Sequence, residues 1–124
     1  MNRAFTNILT SNVPETAAFY EALLGMQRAG DFGWFVLLSH KDMPGFELGI
    51  LSKTHETIPK DLPQGQGGSI LTFVVPDLDE VAEKARAMQA DIIQPPTDLP
   101  YGQRRLMLRD PAGSAVDISS PIRD

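Results

Sequence analysis

Two carboxylates stand where strand-forming apolar residues surround them: Glu47 in FELGIL and Asp117 in AVDIS. An unpaired buried carboxylate is costly, so each must be hydrated, paired or protonated. Their chemistry would be to hold a cation, accept hydrogen bonds from a ligand, or contribute to a weak hard-ion site completed by water. Alternation along each strand separates Phe46, Leu48 and Ile50 from Glu47, Gly49 and Leu51, and Val116 and Ile118 from Ala115, Asp117 and Ser119. The more apolar face should meet helices, which leaves the acids facing a cavity. Arg104 and Arg105, on the strand before AVDIS, are candidate partners for them.

Aromatic and amide groups accompany these acids. Trp34 and Phe35 sit on one predicted strand, where alternation sends one to the core and the other outward or into the cavity. Asn7 and Thr72 offer hydrogen bonds in a mostly apolar setting, and Gln103 and Met107 share a face with Arg105. Aromatic rings beside carboxylates suit a cationic or polar aromatic ligand. The two histidines, His40 and His55, fall in a turn and a polar linker and read as solvated surface residues. With no cysteine there is no thiol nucleophile, disulfide or Cys-based metal site. No phosphate loop, serine-nucleophile motif or HExxH is present.

The elements that must position these groups occur twice. Residues 5–26 (FTNILTSNVPETAAFYEALLGM) and 70–91 (ILTFVVPDLDEVAEKARAMQAD) align without a gap, each a short apolar strand followed by a helical stretch. In the first copy Ile8 and Thr10 share one face and Phe5, Asn7 and Leu9 the other. Pro14 suits a first helical turn and Gly25 a helical stop. Val13, Ala17, Tyr20 and Leu24 recur at helical spacing. Strands are then predicted over 26–32 and 33–39 and in GFELGILS, with KDMPG as a turn. In the second copy Asp77 and Glu80 resemble a capping box. Residues 91–94 form a short strand that IQPPTDLP breaks, and YGQRRLMLR and SAVDISS are strands joined by a DPAG turn in which Gly113 serves the bend.

Each copy therefore reads βαβββ, in modules of about 1–52 and 69–120 joined by a polar, Pro- and Gly-rich linker at 53–68. The expected fold is α+β: one domain over 1–124, with curved sheets around a cavity and the helices outside. A ferredoxin-like βαββαβ domain would leave strands over. The chain has 124 residues, 42% hydrophobic and 22% charged, with net charge −5 and no basic block, which excludes the electrostatic footprint of a nucleic-acid binder. No apolar run reaches membrane-spanning length and no signal peptide is evident, so no membrane partner and a cytoplasmic location are expected.

FYEALLGM at 19–26, RDPAG at 109–113 before an acid-bearing strand, and PYGQRRLMLRDPAGSAVDI at 100–118 resemble the vicinal oxygen chelate superfamily. That superfamily includes glyoxalase I, extradiol dioxygenases, fosfomycin-resistance enzymes and bleomycin-resistance proteins, and the last are the most similar branch. The resemblance implies paired βαβββ modules, a ligand cavity, a symmetric homodimer and, at Tyr101, an aromatic residue of the drug-binding surface. It also implies four metal positions, which on this chain are Phe5, Glu47, Ile70 and Asp117. Phe and Ile cannot coordinate a metal. The expectation is a small-molecule-binding protein with no metal and no other cofactor. Its candidate ligand residues are Phe5, Asn7, Trp34, Glu47, Thr72, Tyr101, Gln103, Arg105 and Asp117. The competing readings are a lyase, isomerase or dioxygenase of the same superfamily with unusual ligands or none, and a structural dimer with a filled cavity.

Overall fold

The computed structural model describes residues 1, 3–60, 69–100 and 102–122. Tyr101 and the Pro/Gly-rich core of the linker lie outside the described residues. Among the latter, two helices and eight strands form two four-stranded mixed sheets. The chain divides into two compact units, residues 1–67 and 68–124.

The first unit contains β1 (Thr6–Thr10), α1 (Val13–Leu24), β2 (Gln27–Asp31), β3 (Phe35–Ser39) and β4 (Glu47–Ser52), with sheet order β1-β4-β3-β2. β1 runs parallel to β4, which the intervening helix makes possible, and the other pairs are antiparallel. Asn12 caps α1, its side chain accepting the Glu15 N–H at 3.1 Å, and Pro14 occupies the first turn. Gly25 ends the helix at φ 72°, in the left-handed region that a Cβ disfavours, and its N–H bonds Glu21 O. Register pairs Ile8 with Ile50, Val36 with Ile50 and Leu38 with Leu48, so these five share a face. All are buried, as are Tyr20 and Leu23 of α1. A hydrogen bond of 2.8 Å between the Thr10 and Thr16 hydroxyls ties that face to the helix.

The second unit repeats the plan with β5 (Ile70–Val74), α2 (Leu78–Ala87), β6 (Asp91–Asp98), β7 (Gln103–Arg109) and β8 (Ala115–Pro121), ordered β5-β8-β7-β6. Asp77 caps α2 by accepting the Asp79 and Glu80 N–H groups. Leu106, Leu108, Val116 and Ile118 are fully buried on the helix-facing side, with Leu78, Ala82 and Ala85 from α2. The Asp110 carboxylate accepts the Ala112 and Ser114 N–H groups at 2.9 Å, and Gly113 takes φ 89°, which fixes the DPAG turn.

One boundary differs from expectation. β6 does not stop at residue 94 but runs through Pro95 and Pro96 to Asp98. It is the edge strand of its sheet, and its pairing with β7 is irregular between Ile92 and Gln94 and between Gln94 and Thr97. At an edge or a bulge a missing N–H breaks no ladder, so proline is tolerated.

Candidate functional site

Opposite the helix-packed face, each sheet has a second face that carries the sequence candidates. In the first unit, register sets Asn7 beside Gly49, Leu9 and Phe35 beside Leu51, Leu37 beside Gly49 and Ser39 beside Glu47. Glu47 has a partner that sequence reasoning missed. Arg3 grips both carboxylate oxygens, Nε to Oε1 at 2.5 Å and Nη2 to Oε2 at 2.6 Å. The same guanidinium lies with its central carbon 5.0 Å from the centre of the Phe5 ring. A fork-to-fork pair of this kind is the strongest arrangement open to these groups. The hydrogen bonds from Arg3 hold the Glu47 carboxyl below its ordinary value, and the carboxylate holds Arg3 above its own.

In the second unit Thr72 and Asp117 are register partners, and the Thr72 hydroxyl donates to Asp117 Oδ2 at 3.1 Å. The Ser119 hydroxyl donates to Oδ1 at 2.9 Å. Met107 lies opposite Asp117. Among the described residues no ion pair involves Asp117, so its charge is met by hydroxyl donors alone. Arg105 shares this face as the partner of Ser119, but its Nε and Nη2 both donate to Gln94 Oε1, at 3.2 and 3.0 Å. Gln103 stands at the start of β7, opposite Pro121.

The expected arginine partners are therefore corrected. Neither Arg104 nor Arg105 pairs with Glu47 or Asp117. Alternation puts Arg104 on the α2 side of the sheet, where it bonds Asp98 at 2.9 Å and Asp79 at 3.4 Å. A cavity of about 400 Å³ opens there at the start of α2. Arg104 already holds Asp79 and Asp98, and helix N–H groups already occupy Asp77. The histidines are also corrected. His40 is half-buried, with Nε2 3.0 Å from Leu24 O. His55 is half-buried and stacks on Trp34, ring centres 3.8 Å apart and 11° from parallel. Trp34 precedes β3 rather than lying in it, and groups with Phe32 and Phe35 at 6.5 and 5.9 Å.

The structure thus brings Phe5, Asn7 and Glu47 together on one open sheet face, and Thr72, Arg105 and Asp117 on the other. Arg3, Phe35, Gly49, His55 and Ser119 were not among the candidates. Gly49 did leave a signal, since glycine inside a strand marks a bulge or a close approach. Arg3 left none.

Comparison with known proteins assigns the fold. A family model described as the Glyoxalase/Bleomycin resistance protein/Dioxygenase superfamily matches residues 3–118. The chain belongs to this superfamily. A glyoxalase/bleomycin resistance protein/dioxygenase family enzyme from Burkholderia phytofirmans PsJN superposes with TM-score 0.80 at 20% identity, over 95% of this chain and 97% of that one. A protein of unknown function from Agrobacterium tumefaciens str. C58 gives TM-score 0.77 at 26% identity, over 98% and 95%. A glyoxalase/bleomycin resistance protein/dioxygenase from Nocardioides gives 0.74 at 17%, over 99% and 85%. No curated protein matches.

For this superfamily member the implied metal can be tested against the residues themselves. Two of the four positions, Phe5 and Ile70, have no donor atom. At a third, Glu47, both oxygens are engaged by a cationic guanidinium. Among the described residues no three His, Asp or Glu side chains converge. The donor set does not fit a divalent ion.

Proposed function

We propose that this chain is a small-molecule-binding protein whose ligand is partly aromatic, and that it works without a catalytic metal. The carrying observation is the Arg3–Glu47 pair. In the place where the superfamily's metal chemistry needs an open carboxylate beside an imidazole, this chain has a carboxylate closed by arginine and a phenyl ring under that arginine. A guanidinium cannot act as a Lewis acid, so the face is left to binding.

The ligand class follows from what remains accessible. Each unit has an exposed polar group beside apolar neighbours, Asn7 in the first and Thr72 in the second, and on its own sheet face each suits orientation of a ligand by a hydrogen bond. Asp117 has hydroxyl donors but no described cationic partner, so an amine-bearing aromatic compound supports the reading best. Glu47, neutralised by Arg3, drops out as a second anionic anchor. The two units act as one domain, and the functional form is a symmetric homodimer.

A thermal-shift comparison of phenethylamine with phenylacetate tests the ligand class. The cation is expected to stabilise the wild type and to lose its effect on Asp117→Asn. Stabilisation by the anion alone, or a cation effect untouched by the substitution, contradicts the reading.

A further inference from the structure

Gly49 lies in β4, the strand paired on both sides by β1 and β3. A glycine there gives up side-chain packing and costs backbone entropy, so it needs a reason. Backbone conformation is not the reason, because Gly49 is not among the glycines with positive φ. Space is. A Cβ at this position would lie 2.0 Å from Asn7 Oδ1 and 2.9 Å from Phe35 Cε1. The Asn7 carboxamide therefore lies across the Gly49 backbone, with the edge of the Phe35 ring meeting it over the same residue. Asn7 is nevertheless exposed, and among the described residues its carboxamide has no hydrogen-bond partner.

We propose that Asn7, Gly49 and Phe35 form a recognition notch for a planar aromatic group bearing a carboxamide or lactam. The inference rests on the small-molecule reading above and names which chemistry its first unit selects. A primary amide presents a donor and an acceptor side by side, so its best complement is a group with the same pair reversed, which a ligand amide supplies. Phe35 and Leu37, on the same face, give apolar and aromatic surface for the ring attached to that amide. Gly49 is a positioning residue in this scheme. It touches no ligand polar atom but sets where the carboxamide lies. Adding a methyl group would push against the far end of the Asn7 side chain, which can swing away, and against the ring edge. The strand would survive while the amide turned out of the notch.

The test is an NMR titration of the full chain with benzamide, with phenethylamine as a separate probe of Asp117. Benzamide is expected to shift the Asn7 side-chain NH2 resonances of the wild type. Gly49→Ala should weaken benzamide binding by about tenfold or more, and so should Asn7→Leu, which removes the amide while keeping Gly49. Phenethylamine, whose ammonium the parent reading anchors at Asp117, should be weakened far less than benzamide in both. Asn7→Leu carries the test alone if Gly49→Ala fails to fold. The proposal is overturned if benzamide does not bind the wild type, binds without moving the Asn7 resonances, or binds both variants as tightly. In each case phenethylamine reports separately on the parent reading: retained, Asp117-dependent binding leaves that reading standing, and loss of both probes ends it as well.

Discussion

Arg3 and Glu47 decide what the metal-position face of the first unit can do. The hydrogen bonds from Arg3 stabilise the ionised carboxylate in the folded chain and not in the unfolded one, so folding and protonation are linked. The sign follows from the depressed value. The contribution is present above the ordinary glutamate value of 4.5 and is lost as pH falls through the lower folded-state value. Melting temperatures of wild type and Glu47→Gln should therefore differ at neutral pH and converge as pH drops below 4.5. A gap that is constant with pH contradicts the pairing. The pair is solvent-facing on the Arg3 side, so the gap should be small and should shrink further in high salt. Glu47 and Asp117 were legible as unusual residues because an acid breaks the apolar run on both sides of it. Their partners were not legible. Arg104 and Arg105 are near Asp117 in sequence, but alternation sends Arg104 to the other face, and Arg105, on the Asp117 face opposite Ser119, donates to Gln94 instead. Arg3 meets Glu47 across 44 positions with nothing local to announce it.

At the scale of elements, helix ends and strand faces carry local chemistry and could be read in advance. Asn12, Pro14 and Gly25 mark α1, and Asp77 marks α2, through capping groups that act within a few residues. Asn12→Ala should lower stability by about 1 kcal/mol in denaturant unfolding, because it leaves the Glu15 N–H without its acceptor. A loss near zero would show that water replaces the cap. Ile50 is fully buried between Ile8 and Val36, and Ile50→Ala should cost about 2–5 kcal/mol. A loss comparable to that of an exposed substitution contradicts the assignment of the helix-packed face. The length of β6 was illegible because consecutive prolines are tolerated only at an edge or an irregularity, and edge position is a property of the whole sheet. Trp34 was equally illegible. Its stacking on His55 joins a strand approach to the linker, which neither the strand setting of Trp34 nor the polar setting of His55 announces.

The whole chain is a repeat, and that was the plainest message in its sequence: one βαβββ plan, written twice, gives two four-stranded mixed sheets with the same order of strands. Each unit buries one face of its sheet under its helix and leaves large apolar side chains exposed, among them Phe32 at 66%, Val74 at 72% and Ile70 at 57%. Exposed apolar surface of this kind favours self-association. Light scattering at micromolar concentration should give twice the chain mass of 13.6 kDa, and a monomer would contradict the proposed homodimer. The central claim is that this superfamily member binds without metal because Phe5 and Ile70 supply no donor and Arg3 closes Glu47. Elemental analysis of the chelated protein after reloading with zinc, nickel, manganese and iron tests it most directly. The account predicts metal far below stoichiometric, and near-stoichiometric retention of any of the four would contradict it.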